Sequence, residues 1–257
     1  MLWRRLALLM VAASMAVMVL AFAGVALAAV ITCTGGRCEG TNEDDVITGT
    51  DQRDRIFALA GFDDVFAGAG EDELNGGSGG DDLGGDDNND TYFGGNGNDQ
   101  LSEFFSAIDN TGNDEMNGGP GSDFIEGNVG NDILRGQEGS EIAAGFQGAL
   151  MFGDEGNDVL FGGRGEDGTE GDEGTDEHFG GRNNDFIDAS SKEDFATDAP
   201  DLVDCGPGID QAVVLANDIV RDNCEQVTPL TTITAETGTT DEEQQQQKED
   251  FLARRDG

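Results

Sequence analysis

The chain has 257 residues, with 54 acidic side chains against 13 basic ones and a formal charge of −41, which argues against nucleic acid and anionic membrane surfaces as partners and for cations. Gly contributes 41 residues and Pro only 4, with one Trp and one Tyr. Such a chain turns tightly and often but cannot fill a thick two-layer core, so a folded body must be thin and repetitive.

Residues 1–28 read as an export signal. Arg4 and Arg5 precede an apolar run from Leu6 to Val25, and Ala26-Leu27-Ala28 is an A-x-A cleavage site. The run is also long enough to act as an uncleaved anchor. Cleavage after Ala28 removes the only membrane-directed segment and leaves a secreted chain that meets external calcium and an oxidising medium. Residues 29–39 form a short lead bearing Cys33 and Cys38.

Residues 40–188 carry a nine-residue period in the frame Gly-Gly-x-Gly-x-Asp-x-apolar-x. Gly76-Gly77-Ser78-Gly79-Gly80-Asp81-Asp82-Leu83-Gly84 is one complete copy and Gly94-Gly95-Asn96-Gly97-Asn98-Asp99-Gln100-Leu101-Ser102 another. The sixth position holds Asp45, Asp54, Asp63, Asp72, Asp81, Asp90, Asp99, Asp114, Asp123, Asp132, Asp158, Asp167, Asp176 and Asp185. The eighth is apolar at Ile47, Ile56, Val65, Leu74, Leu83, Tyr92, Leu101, Met116, Ile125, Leu134, Leu160 and Ile187. A merely solvated acidic chain has no reason to keep the two in phase, so the alternative of intrinsic disorder gives way to one repeated unit.

Calcium explains the spacing. It takes six to eight oxygen ligands from carboxylates and backbone carbonyls. Glycines leave carbonyls open to close approach, and Asp places a short carboxylate at the end of the turn. If each x-apolar-x triplet is a brief strand with the apolar side chain inward, two nonapeptides make one coil. Coils then stack at about 4.8 Å by parallel pairing, and an ion can be shared between stacked turns. The expected ligands are the fourteen sixth-position aspartates with Gly70, Gly76, Gly77, Gly79, Gly94, Gly95, Gly97, Gly118, Gly119, Gly121, Gly130, Gly156, Gly162, Gly163 and Gly165.

These residues resemble the repeats-in-toxin (RTX) calcium-binding proteins. The resemblance implies an all-β fold, a right-handed parallel β-roll that folds on calcium with ligands from the Asp and the turn carbonyls. The segments Cys33-Thr34-Gly35-Gly36-Arg37-Cys38 and Val203-Asp204-Cys205-Gly206-Pro207-Gly208 look like the ends of small secreted members without an attached enzyme.

Several copies depart from the frame. Residues Glu103-Phe104-Phe105-Ser106-Ala107-Ile108 interrupt it, as a bulged loop or as a boundary between two stacks. Glu141 and Leu150 stand at aspartate positions, so calcium binding is in doubt there. Glu43, Gln52, Asn88 and Asn183 replace the second-half glycine, which predicts poorer carbonyl geometry. Thr169 and His178 occupy apolar positions, which weakens the core and makes His178 an imperfect core residue before a ligand.

Residues 189–227 are expected to form a cap with closing strands in Ala212-Val213-Val214-Leu215 and Ile219-Val220, and 228–257 a disordered tail. The four cysteines allow three pairings. Local pairs, Cys33 with Cys38 and Cys205 with Cys224, close a loop at each end of the array. A zinc site is the competing reading, but C-x-x-C spacing is absent and His178 is the only histidine.

No catalytic motif stands apart from the repeats. H-E-x-x-H is missing, Gly76-Gly77-Ser78-Gly79-Gly80 matches G-x-S-x-G only inside a nonapeptide, and paired acids lack aromatic walls for a sugar cleft. The expected function is a secreted, non-catalytic calcium-binding β-roll with a structural or adhesive role and room for an extracellular protein or glycan partner. The alternative is a calcium-binding module of a polysaccharide-directed or other secreted enzyme.

Without calcium, stacked carboxylates about 5 Å apart lie inside the roughly 8 Å Debye length of physiological salt. Each pair costs on the order of 1 kcal/mol. A dozen pairs rival a typical stability of about 5–15 kcal/mol, so calcium is expected to be required for folding.

Overall fold

The computed structural model describes residues 28–102, 112–138, 149–190 and 199–230, and among these the regular structure is all strand. Two long parallel sheets face each other, and Glu155–Gly156 pairs with Glu173–Gly174 in a short third one. One has eleven strands: Val30–Thr32, Val46–Thr48, Asp64–Phe66, Asp82–Gly84, Gln100–Leu101, Phe124–Glu126, Leu150–Phe152, Gly168–Glu170, Phe186–Ala189, Gln211–Leu215 and Gln226–Leu230. The other has ten: Gly36–Glu39, Asp54–Ala60, Glu73–Ser78, Thr91–Asn96, Glu115–Pro120, Ile133–Glu138, Val159–Arg164, Glu177–Arg182, Leu202–Asp204 and Ile219–Val220. The chain alternates between them, so each coil contributes one strand to each sheet. This is a parallel β-roll.

Side chains alternate across a strand, so the middle residue of each Asp-x-apolar-x triplet points inward. All twelve predicted apolar positions, from Ile47 to Ile187, are fully buried. The first sheet uses the brief triplets expected of the sequence. In the second sheet the strands run on through the glycine pair, as in Glu73–Ser78. There Gly77 takes φ +106° while Gly77 and Ser78 still pair with Gly95 and Asn96. A left-handed residue lets the strand bend without leaving the ladder.

Register shows what the insertions do. Val46 pairs with Asp64 and Asp64 with Asp82, one coil of two nonapeptides apart. Across the interruption, Thr91 pairs directly with Glu115 and Gln100 with Phe124. The ladder therefore continues unbroken, and the extra residues lengthen a single coil instead of separating two stacks. Residues 103–108 themselves lie outside the described segments, as do Glu141 and all of the export signal except Ala28.

Two expectations need correction. Leu150 does not stand at an aspartate position: Met151 is the buried residue, stacked between Ile125 and Thr169, and Ala149 fills the aspartate slot, donating its N–H to Asp167 Oδ1. The insertion before it shifts the frame by one residue, which a fixed nine-residue count misreads. Asn88 and Asn183 hold φ of 85° and 81°, positive as Asn tolerates better than other side chains but short of the 135–154° of Gly61, Gly70, Gly79, Gly97, Gly165 and Gly174 in the same slot. The tail does not begin at 228 either, because Gln226–Leu230 is a strand paired with Gln211–Leu215. Pro229 is accommodated because this is the last strand of its sheet, where one side needs no ladder donor. Residues 231–257 lie outside the described segments.

The ends are covalently closed. Cys33 is bonded to Cys38 and Cys205 to Cys224, with Cα separations of 5.7 and 5.2 Å. Between the ends the apolar core divides into two clusters, one running from Cys33 to Leu160 and the other from Ile187 to Val214. The division falls at Thr169 and His178, the two polar residues on the inward columns.

Because Glu103–Ile108 only lengthen one coil, their deletion is expected to leave the β signal in circular dichroism and the number of bound calcium ions unchanged. A loss of either would show that the excursion supports the ladder.

Candidate metal centre

The fourteen predicted aspartates stack in two columns, one along each edge of the roll. Asp45, Asp63, Asp81, Asp99, Asp123, Asp167 and Asp185 form one, with Ala149 as a gap between Asp123 and Asp167. Asp54, Asp72, Asp90, Asp114, Asp132, Asp158 and Asp176 form the other without a gap. Every one of these residues is buried, at 3% exposure or less. Short acidic side chains are rarely so enclosed without a partner.

One carboxylate oxygen has a backbone partner. In the first column the N–H of Asp45, Asp63, Asp81 and Asp99 donates to Oδ1 of the aspartate in the next coil at 2.7–3.0 Å. The second column repeats the bond from Asp54 through Asp158 at 2.6–2.8 Å. The other oxygen is different. Oδ2 of Asp63, Asp72, Asp81, Asp99, Asp123, Asp132, Asp158, Asp167 and Asp185 is buried with no hydrogen-bond partner. Asp54 has turned its pair round: Thr50 donates to Oδ2, and Oδ1 is the atom left over.

The glycines show what surrounds that oxygen. A methyl group on Gly76 would sit 2.5 Å from Asp81 Oδ2 and 2.6 Å from the Gly94 carbonyl oxygen. Gly94 stands likewise against Asp99 Oδ2 and the Gly118 carbonyl, and Gly162 against Asp167 Oδ2 and the Gly180 carbonyl. Gly118 faces Asp123 Oδ2. An orphan carboxylate oxygen and a carbonyl oxygen thus converge where only glycine leaves space.

The other glycines stack carbonyl over backbone. At Gly77, Gly95, Gly119 and Gly163 a side chain would overlap the carbonyl of the coil before. The same holds at Gly79, Gly97, Gly121, Gly130 and Gly156, and Gly70 packs against the Gln52–Arg53 peptide. Gly165 adopts φ +154° and donates its N–H to the Arg182 carbonyl at 3.2 Å. The Asn88 and Asn183 carbonyls keep their places in this stack, against Gly112 and Gly208.

Electrostatics make the same demand. Burial pushes Asp63, Asp72, Asp81 and Asp99 up to about 6 from 3.8. Asp123, Asp132 and Asp167 rise to about 7, and Asp158 and Asp185 to about 8. Backbone N–H donation opposes the shift without overcoming it, and for most of them the neighbouring carboxylates add to it. A divalent cation between the coils removes the cause. Buried carboxylate oxygens lacking a proton donor and convergent carbonyls fit calcium, a hard ion that takes oxygen.

Repeat counting missed four members. Asp176 N–H donates to Asp201 Oδ1 at 2.7 Å and Asp185 N–H to Asp210 Oδ1 at 2.8 Å, and Asp201 and Asp210 donate in turn to Asp218 Oδ1 at 3.2 Å and Glu225 Oε2 at 3.0 Å, so both columns run two coils further. The spacing of 25 residues breaks the nine-residue count. The local signal was present nonetheless, as Gly206-Pro207-Gly208-Ile209-Asp210 and as the Asp-x-apolar triplet Asp201-Leu202-Val203.

A family model described as RTX calcium-binding nonapeptide repeat (4 copies) matches residues 39–74, 48–83, 66–101, 108–140 and 150–177. The chain belongs to the RTX calcium-binding repeat family. Only RTX repeats are matched, and no catalytic domain is found among the matches. Comparison with curated proteins finds no match to the chain. Within the RTX array, Ser78 of the G-x-S-x-G coincidence ends a regular ladder strand and pairs with Asn96, so it has no strand-turn-helix setting.

The raised aspartates set a pH dependence. Their folded-state values lie above the unfolded one, so their contribution to the metal-free fold is complete below about pH 4 and is lost as pH rises through about 6 to 8. In chelator, circular dichroism is expected to show more β structure at pH 5 than at pH 8, and added calcium to abolish the difference. More β structure at the higher pH in chelator would contradict this account.

Proposed function

We propose that the protein is a secreted, non-catalytic calcium binder whose β-roll folds on calcium and serves a structural or adhesive role outside the cell. The observation that carries the reading is the pair of buried carboxylate columns, in which Oδ2 of nine aspartates has no proton donor. In the metal-free chain each further coil adds another buried acid beside the last, while the core gains only one apolar residue per strand. Calcium supplies the compensating positive charge, and folding and binding are then one equilibrium.

Aspartates from Asp72 to Asp132 would hold the ions with their neighbouring glycine carbonyls, and Asp158 with Asp167 would form a second group. The Ala149 gap leaves the Asp123 edge one carboxylate short, whereas the Asp132–Asp158 edge is continuous. The domain plan that follows is a signal over 1–28, a cysteine-bearing lead over 29–39, the calcium roll over 40–188, a cap from 189 to the strand ending at Leu230, and a polar tail. The lead and the cap carry the first and last strands of both sheets, so they close the roll instead of standing beside it.

Titration with millimolar calcium is expected to raise the β signal of the mature chain, and chelator to remove it. Site affinities near about 10⁻⁴–10⁻³ M suit an extracellular module. Asp99→Asn keeps an oxygen for the Asp81 N–H but loses the charge, so it should weaken calcium binding and, by linkage, lower the stability of the fold at a given calcium concentration. Asp99→Ala should destabilise the fold by about 1–3 kcal/mol more, because it strands a buried donor. A β signal indifferent to calcium in the unmodified chain would end the proposal.

A further inference from the structure

The rung at Asp176 is unlike the others. Asp176 and His178 lie two apart on the strand Glu177–Arg182 and its entry, so their side chains share the inward side. Where the repeat places an apolar residue, between Leu160 and Val203 on the same column, this strand places the only imidazole of the chain. Asp201 is stacked on Asp176 from the next coil. Ligand atoms of Asp176, His178 and Asp201 all lie within 4.8 Å of one another, and all three residues are buried.

The imidazole is oriented. Its Nδ1 is 2.9 Å from Thr169 Oγ1, across the core on the facing sheet. Its Nε2 is fully enclosed, has no hydrogen-bond partner and lies beside Gly171 together with Asp176 Oδ2. With Nδ1–H donating to the threonine, Nε2 presents its lone pair to the carboxylates. This matches the usual arrangement of a metal-bound histidine, whose second nitrogen is held by a hydrogen bond from the outer shell. Thr169 and His178 are also the two polar residues that interrupt the inward columns, and one is the partner of the other.

We propose that Asp176, His178 and Asp201 form a binding site for a borderline divalent cation, typified by zinc, at a rung where the rest of the array takes calcium. The donor set is the argument. Imidazole nitrogen suits zinc and its neighbours, whereas calcium takes oxygen. Two carboxylates and a neutral ring balance one divalent charge in an enclosed place. The inference builds on the calcium reading only in that Asp176 continues an aspartate column. The cysteines offer zinc no thiolate, since all four are in disulfides.

Because His178 is the sole histidine, any imidazole bound to metal in an untagged chain must be this one. The full mature chain, held in millimolar calcium, would be given one equivalent of zinc and studied by X-ray absorption at the zinc edge, with its β signal recorded on the same sample. An imidazole nitrogen at about 2.0–2.1 Å from zinc is expected. His178→Leu, which restores the residue type of the column, should keep the β signal and lose the nitrogen. Thr169→Val, which frees the ring, should weaken zinc by about 10–100-fold while leaving calcium titration unchanged. A zinc spectrum without imidazole in the unmodified chain, or zinc affinity equal in His178→Leu, would overturn the site. Failure of the calcium reading would show separately, as a β signal that ignores calcium.

Discussion

The structure depends on a carboxylate held between two coils. From Asp63 and Asp72 onward, one oxygen of each sixth-position aspartate accepts the backbone N–H of the aspartate a coil earlier, or of Ala149 in the case of Asp167, which fixes the stacking of turn on turn. This bond places the second oxygen inside, beside a glycine and a carbonyl, where no donor reaches it. A hydrogen bond that builds the stack therefore also creates the charge problem of the stack. Repeating the unit repeats both, so the demand for cations grows in step with the length of the roll.

Glycine, charge and the slender core follow from that constraint. Coils this close leave no room for a Cβ at Gly79 or Gly97, whose neighbours are the carbonyls of the coil before. With small residues through both turns, only the middle of each triplet is left to face inward. The core is two facing columns, one residue wide each, and even Tyr92 is fully enclosed there. Burial of that width cannot offset a file of unpaired carboxylates, and the cysteine bridges act only at the ends.

Most of this architecture was legible in the sequence because the backbone period and the side-chain period coincide. Ile47 to Ile187 gave the inward face, Asp45 to Asp185 gave the edges, and the cysteine positions gave the closures. What escaped were places where the coil is not eighteen residues long. A fixed count cannot see that Ala149 takes the aspartate slot, since an insertion of unmatched length precedes it. It likewise loses Asp201 and Asp210, which resume the stack at a spacing of 25 residues. Register there is set by hydrogen bonds between coils, which tolerate any excursion that returns the chain to the next rung. One backbone departure was also hidden: Leu59 holds φ 88° in the slot that Gly77, its ladder partner, fills in the next coil.

The two edges of the roll are not equivalent, and this bears on how ions act together. In a stacked array each coil contacts only its neighbours, so stability is a sum of local terms and interfaces. On one edge the file of carboxylates is broken at Ala149, and Asp167 reaches Asp123 only as the least of the causes that raise its pKa. On the other edge Asp132, Asp158, Asp176 and Asp201 are linked without a gap. The second edge therefore offers the continuous route for coupling between the two halves of the array. The core is divided at nearly the same level, where Thr169 and His178 separate two apolar clusters. The continuous carboxylate edge therefore spans the place where apolar packing is weakest, and the charges it gathers there give a bound cation the most to contribute.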